Sequence, residues 1–274
     1  MRLTVFAEGG EARLGILKDG RLHDGGYFPR TSEEFGSLAE KVAAGAIEVS
    51  DRVVGTPAPA LPVVPGARVI CIGLNYAEHA REGGSEPPDY PALFYRVDTS
   101  LAPNRARVPV PEVSDKLDFE AELLVVIGRG GRSISESNAL DHVFGYGVFN
   151  DISLRDYQRK GGQWTPGKNF DGTGIVGDEI VTPDEVPAGA SGLRVRSILN
   201  GRTMQDANTD NLIFPVARSI ALISEFMTLR PGDLIAMGTP SGVGYARTPP
   251  VWMKPGDEIV VEIDRIGRNS ATIG

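Results

Sequence analysis

Apolar positions along the chain come mostly in short runs, broken by glycine, proline and aspartate. That pattern predicts many strands joined by turns. "RLTVFAEGGEARLGILKDGRLHDGG" gives three short strands broken at "EGGE" and "KDGR". "TSEEFGSLAEKVAAGA" has helical spacing instead, with Phe35, Leu38 and Val42 on one side and Thr31 and Glu34 set for a capping box. "GTPAPALPVVPGA" (55–67) reads as a proline-rich extended linker. Beyond it strands dominate: "ARVICIGLNY", "ELLVVIG", "GYGVFND", "LRVRSILNG", "DLIAMG" and "DEIVVEI". Helices are expected over 135–143 and 215–227, and "EGGSEPPDYP" (82–91) is a flexible loop by composition. "RPGD" and "KPGD" each announce a turn followed by a strand. The expected organisation is a small N-terminal unit over 1–54, the linker, and a main domain over 68–274. Sustained βαβ alternation is missing, which disfavours a Rossmann fold. The fold class is mainly β (α+β), with a mixed sheet and a few helices.

Composition narrows the function. With 274 residues, 41% of them hydrophobic, the chain can bury one large core or one large and one small. Net charge is −8 and no lysine or arginine block stands out, so nucleic acid and acidic membrane surfaces are poor partners. No apolar stretch approaches the roughly 20 residues that span a bilayer. The N-terminus lacks an apolar region of signal-peptide length. The single cysteine, Cys71, sits among apolar neighbours and reads as a core residue; one thiol forms no internal disulfide, which fits a reducing compartment. A cytoplasmic protein is expected. "GRGGR" lacks the ending of a phosphate loop, and no G-x-S-x-G, H-E-x-x-H or paired C-x-x-C occurs.

The chemistry starts at "DKLDFEAELLVVIG" (115–128). Leu123 to Ile127 reads as a strand, and Glu120 and Glu122, two apart at its head, share one face. Two carboxylates that close, beside a core, repel each other and resist desolvation. Asp151 follows the strand read as ending at Phe149 and completes an all-oxygen trio. Hard oxygen donors suit Mg²⁺, Mn²⁺ or Ca²⁺ rather than zinc, and such an ion would make the adjacency favourable. In "GLNYAEHARE", His79 and Glu82 are i and i+3 on a helical turn. They form either a surface ion pair or a water-activating dyad. Arg155, Gln158 and Lys168 lie in polar turns after Asp151, Lys168 in a glycine-rich loop; such a segment is either solvated or lines a pocket. His23, read in a hairpin turn, and His142, at a helix end, are structural.

Together "GLNYAEHARE", "DFEAELLVVIG", "GYGVFNDISLRDYQ", "GKNFDG", "ILNGRTMQDANTDNLIF" and "LRPGDLIAMGTPSGVG" resemble the fumarylacetoacetate hydrolase family over roughly residues 66–260. The resemblance implies a mixed β-sandwich roll, a homodimer and a divalent cation. It matches Glu120, Glu122 and Asp151 to metal ligands, His79 and Glu82 to the water-activating dyad, and Lys168 to the oxyanion-stabilising lysine. Arg155, Gln158 and Thr239 match positions that contact substrate in some members, and the loop after the dyad matches a lid. Arg96 stands where a lysine is usual, "GTGIVGDEI" lacks a usual proline and tryptophan, and the C-terminal ending differs. The expected activity is metal-dependent hydrolysis of a C–C bond in a small 2,4-dioxo acid of acylpyruvate type, of the kind used in aromatic catabolism. The same site would also serve an oxaloacetate-type decarboxylase or a hydroxymuconate-type isomerase. A different class is a non-catalytic oxo-acid or metal-binding protein.

Overall fold

The structure is a computed structural model that describes residues 1–274. Its central strand, Ala121–Ile127, is buried at every position. Leu123, Val125 and Ile127 enter one apolar cluster, while Leu124 and Val126 enter another. A strand covered on both faces buries every side chain, which is why the run is continuously apolar. Its antiparallel neighbour Val143–Asp151 is likewise buried throughout.

These strands lie in the middle of a 13-stranded sheet. Towards one edge come Glu179–Val181 and the N-terminal meander of Arg2–Glu8, Glu11–Lys18 and Arg21–Tyr27. Arg2–Thr4 pairs with Glu179–Val181, so the meander continues the main sheet. Towards the other edge come Leu234–Ala236, Val69–Gly73 and Ala92–Arg96. Leu234–Ala236 runs parallel to Val69–Cys71 and antiparallel to the central strand, so the sheet is mixed, as expected. A five-stranded sheet that includes Arg194–Leu199 and Glu258–Ile263 packs on one face, sharing a core with the helix Val216–Phe226. The helix Ser32–Ala43 covers part of the other face, its Phe35 edge-on to Phe144 with ring centroids 4.9 Å apart.

Local signals mostly carry through. Thr31 caps its helix by accepting from Glu34 N at 3.1 Å, while the Glu34 carboxylate accepts from Arg30 N at 2.7 Å rather than from the cap residue itself. In both "PGD" turns the aspartate accepts from the backbone N–H three residues earlier, Asp233 from Arg230 and Asp257 from Lys254. The glycines there have φ of +87° and +91°, a conformation that costs other residues free energy. The proline-rich stretch is extended but packed: Ala58–Pro59 pairs with Phe6–Ala7, and Val64 is buried.

The helix expected near 135–143 is present as the 3₁₀ helix Glu136–His142, in a segment whose Ser and Asn side chains compete with regular helix bonding. Two readings are corrected. His23 is not in a turn; it lies within the strand Arg21–Tyr27, because Asp19 and Gly20 take the positive φ of the hairpin, and its Nδ1 meets Ser50 O at 2.8 Å. Lys168 does not sit in a loop; it ends the single helical turn Thr165–Lys168.

Candidate active site

The antiparallel register assembles the trio. Glu122 lies opposite Phe149 and Ala121 opposite Asn150, and Asp151 N donates to Glu120 O at 3.0 Å. Asp151 thus faces Glu120 across the ladder, still inside its strand rather than past its end. Alternation puts Glu122 on the same face as Glu120. The three buried carboxylates offer oxygens that all lie within 4.8 Å of one another.

Their charges are balanced unequally. Lys168 Nζ donates to Glu120 Oε2 and to Asp151 Oδ2, each at 2.6 Å. Arg155 Nη1 meets Glu120 Oε1 at 2.6 Å. Arg96 Nε donates to Asp151 Oδ1, its Nη2 to Ile152 O at 2.5 Å and its Nη1 to Thr173 Oγ1 at 3.2 Å. Glu122 has no cationic side chain; Gly238 N donates to it at 3.0 Å. Burial works against ionising Glu120, but Lys168 and Arg155 outweigh it and hold its carboxyl far below the usual range. Burial, reinforced by Asp151 and Glu120, pushes Glu122 well above that range. A buried carboxylate without its own cation, facing two others, fits a divalent ion, and an all-carboxylate set fits Mg²⁺ or Mn²⁺.

The dyad sits on the helix Ala77–Glu82, which leaves the strand Val69–Gly73 through a tight corner. Leu74 takes φ +56° there. The buried side chain of Asn75 pins the corner, donating to Phe214 O at 3.1 Å and Met237 O at 2.7 Å and accepting from Phe214 N at 2.7 Å. His79 Nδ1 meets Glu82 Oε1 at 2.8 Å, and Gly242 N donates to the Glu82 carboxylate at 2.9 and 3.1 Å. This carboxylate fixes the imidazole with its proton on Nδ1, leaving Nε2 as the acceptor. With His79 only 7% exposed, this is not a solvated surface pair.

A cavity of about 150 Å³ joins the parts; His79, Glu120, Glu122, Arg155, Gln158, Lys168 and Thr239 all line it, and Asp151 stands behind them, fully buried. Gln158 Oε1 accepts from Arg155 Nη1 at 2.9 Å. Thr239 is already committed: its hydroxyl donates to Ala121 O at 3.1 Å and accepts from Gln205 Nε2 at 2.7 Å. Phe94, Trp164, Arg159 and Tyr245, none of them singled out from the sequence, complete the wall. Two further ions stand behind it; Arg96 had been noted only for standing where a lysine is usual, and Asp118 was missed. Arg96 orients Asp151. Asp118 accepts from Arg155 Nε at 2.7 Å, Gly244 N at 2.7 Å and Tyr245 N at 3.0 Å. Asp118 continues the period of Glu120 and Glu122, and that was a usable signal. Asp118→Asn is expected to cost about 1–3 kcal/mol, the range for a buried partner of a charged group, seen as a lower urea midpoint at unchanged slope.

Two carboxylates of the buried trio, a lysine and a held imidazole line one cavity, with the third carboxylate behind them, an arrangement suited to metal-dependent catalysis. Residues 68–274 match the fumarylacetoacetate (FAA) hydrolase C-terminal family, and the chain belongs to the fumarylacetoacetate hydrolase family. Among its relatives is the oxaloacetate tautomerase fahd2, mitochondrial, of Xenopus laevis, 36% identical over an alignment, gaps included, of 286 positions that spans 97% of this chain and 88% of that one. The fumarylacetoacetate hydrolase from psychrophilic Exiguobacterium antarcticum is similar over 100% of this chain and 99% of its own, with a TM-score of 0.85 and 31% identity. The fumarylpyruvate hydrolase from Pseudomonas aeruginosa, solved in complex with Mn²⁺ and pyruvate, is similar over 82% of this chain and 92% of its own, with a TM-score of 0.69 and 31% identity. The resemblance read from the six motifs is therefore correct, as is the sheet-rich fold. No helix of the chain is long and apolar enough to cross a membrane.

Proposed function

We propose that this enzyme moves a proton at the carbon next to the 2-oxo group of a small 2-oxo acid, with oxaloacetate keto–enol tautomerisation as the first reading. The observation that carries it is His79: Nδ1 is held by Glu82 at 2.8 Å, and its other nitrogen is free in the cavity that Glu120 and Glu122 line. The name of the Xenopus laevis relative supports the substrate.

A divalent cation held by Glu120, Glu122 and Asp151 would supply Lewis acidity to the substrate's 2-oxo and carboxylate oxygens. Mg²⁺ or Mn²⁺ suits the donor set, the latter being named with the Pseudomonas aeruginosa relative; Ca²⁺ is compatible. His79 Nε2 takes the proton from C3, the C–H electron pair becomes the C=C bond, the carbonyl π pair moves onto the 2-oxo oxygen, and the proton held on His79 passes to that oxygen to complete the enol. Glu82 stabilises the imidazolium and holds its tautomer. Lys168 keeps one N–H beyond its two carboxylate bonds and offers it to the oxygen that gains charge. Arg155 and Gln158 hold the substrate in line, and Thr239 shapes the wall.

The dyad favours a second reading, hydrolysis of a 2,4-dioxo acid. There His79 takes the proton of a water whose oxygen bonds to the distal carbonyl carbon. The C–C bond breaks, its electron pair stays on the pyruvate fragment, and the proton returns there. Decarboxylation of a 2-oxo diacid or isomerisation of a dienoate uses the same residues without the water. The proposal includes a homodimer, a role in small-acid or aromatic catabolism and a cytoplasmic setting; the lone buried thiol supports the last.

His79→Gln tests the central role. It is expected to lower turnover by about 10²–10⁴, the range for a lost general base, with the melting temperature nearly unchanged. Decay of the oxaloacetate enol and release of pyruvate from acylpyruvates, measured side by side, separate the two readings. Unchanged turnover in His79→Gln would remove His79 from both.

A further inference from the structure

Arg159 follows the one-turn helix Arg155–Gln158 and lines the cavity, yet makes no salt bridge or side-chain hydrogen bond. Its guanidinium carbon lies 4.6 Å from the centroid of the Tyr245 ring, and the Arg155 guanidinium carbon lies at the same distance from that ring. One aromatic side chain therefore gathers two guanidinium groups. Such stacking holds Arg while leaving its N–H edge free for a carboxylate. Tyr245 is itself held: its N–H donates to Asp118, and its hydroxyl stands where a side chain on Gly83 would have to go. Arg155, nine-tenths buried, keeps Nη2 without any hydrogen-bond partner.

Among the cationic side chains that line the cavity, Lys168 and Arg155 are each bonded to carboxylates, whereas Arg159 has no carboxylate partner. An acid group on the substrate supplies the match. Resting on the proposed function, we infer that Arg159, stacked on Tyr245, is a specificity-determining residue that reads the distal carboxylate of a 2-oxo dicarboxylic acid. Arg155 shares the Tyr245 ring with it.

The test compares 2-oxoglutarate with 2-oxovalerate, five-carbon 2-oxo acids with and without the distal carboxylate, by calorimetric titration of the Mn²⁺-loaded protein. The wild type is expected to hold the diacid more tightly. Arg159→Met, which keeps an unbranched apolar stem on an exposed site, is expected to weaken the diacid about ten- to a hundredfold, the range for a hydrogen bond between charged groups, and to leave the monoacid unchanged. Arg159→Lys is expected to recover part of the loss, because charge survives but the planar fork does not. Equal binding of both acids by the wild type, or an equal change in both on Arg159→Met, would overturn the inference and leave the proposed function standing. Binding of neither acid by the wild type would overturn both.

Discussion

Glu122→Gln is expected to abolish turnover while leaving the metal-free protein as stable as the wild type or more so. Lewis acidity is worth several kcal/mol to enolate chemistry, so losing the ion corresponds to about 10³–10⁴ in rate at 1.36 kcal/mol per tenfold. Stability goes the other way because Glu122 has no cation of its own, and burial beside Asp151 and Glu120 pushes its carboxyl up. The sign follows from linkage. A folded value above the unfolded one gives stability that is fully present below the ordinary glutamate range and lost as pH rises through the raised value. The chelated wild type should therefore lose stability over that rise, and Glu122→Gln should lose less. Mn²⁺ should restore the wild type and do little for the variant, since a ligand stabilises only the state that binds it. Melting curves with chelator and with Mn²⁺, at several pH values, read all of this. A variant that fails to fold would make the site structural and end the catalytic reading.

Asp151→Ala should look different although it removes a ligand of the same trio. Asp151 pairs with Arg96 and Lys168, all three of them buried. Truncation leaves the Arg96 guanidinium with only neutral acceptors and Lys168 with Glu120 alone. Breaking a buried pair from one side costs about 3–5 kcal/mol, a large share of a normal stability margin. The expected result is a protein that binds no Mn²⁺ and is markedly destabilised with or without it. Chemical denaturation of the two variants side by side checks the contrast. Equal stability of Glu122→Gln and Asp151→Ala would show that the pairs to Arg96 and Lys168 carry little of the fold.

The trio was legible because its logic is local. Period-two spacing put Glu120 and Glu122 on one face, and the apolar run behind them implied burial. Asp151 needed only the next strand of the same hairpin, although its strand runs two residues further than read. His79 and Glu82 were legible as a pair because i and i+3 meet on a helix, while the Gly242 amide that also holds Glu82 comes from a segment 160 positions away. Arg96, Arg159 and Tyr245 carry no local signature. Arg96 reaches Asp151 across 55 positions and stands behind a proposed ligand. Thr239, matched as a substrate contact, lines the cavity, and its hydroxyl bridges Gln205 and Ala121, which only the packed strands reveal. Asp118 was within reach of the same period that found its neighbours.

The most direct measurement is the decay of the oxaloacetate enol, followed by ultraviolet absorbance in stopped flow. Wild type, His79→Gln and Glu122→Gln are compared, each with Mn²⁺ and with chelator. The account predicts acceleration by the wild type with Mn²⁺ only, and little acceleration by either variant under any condition. Acceleration that survives chelation, or that persists in Glu122→Gln, would contradict a catalytic divalent cation at Glu120, Glu122 and Asp151.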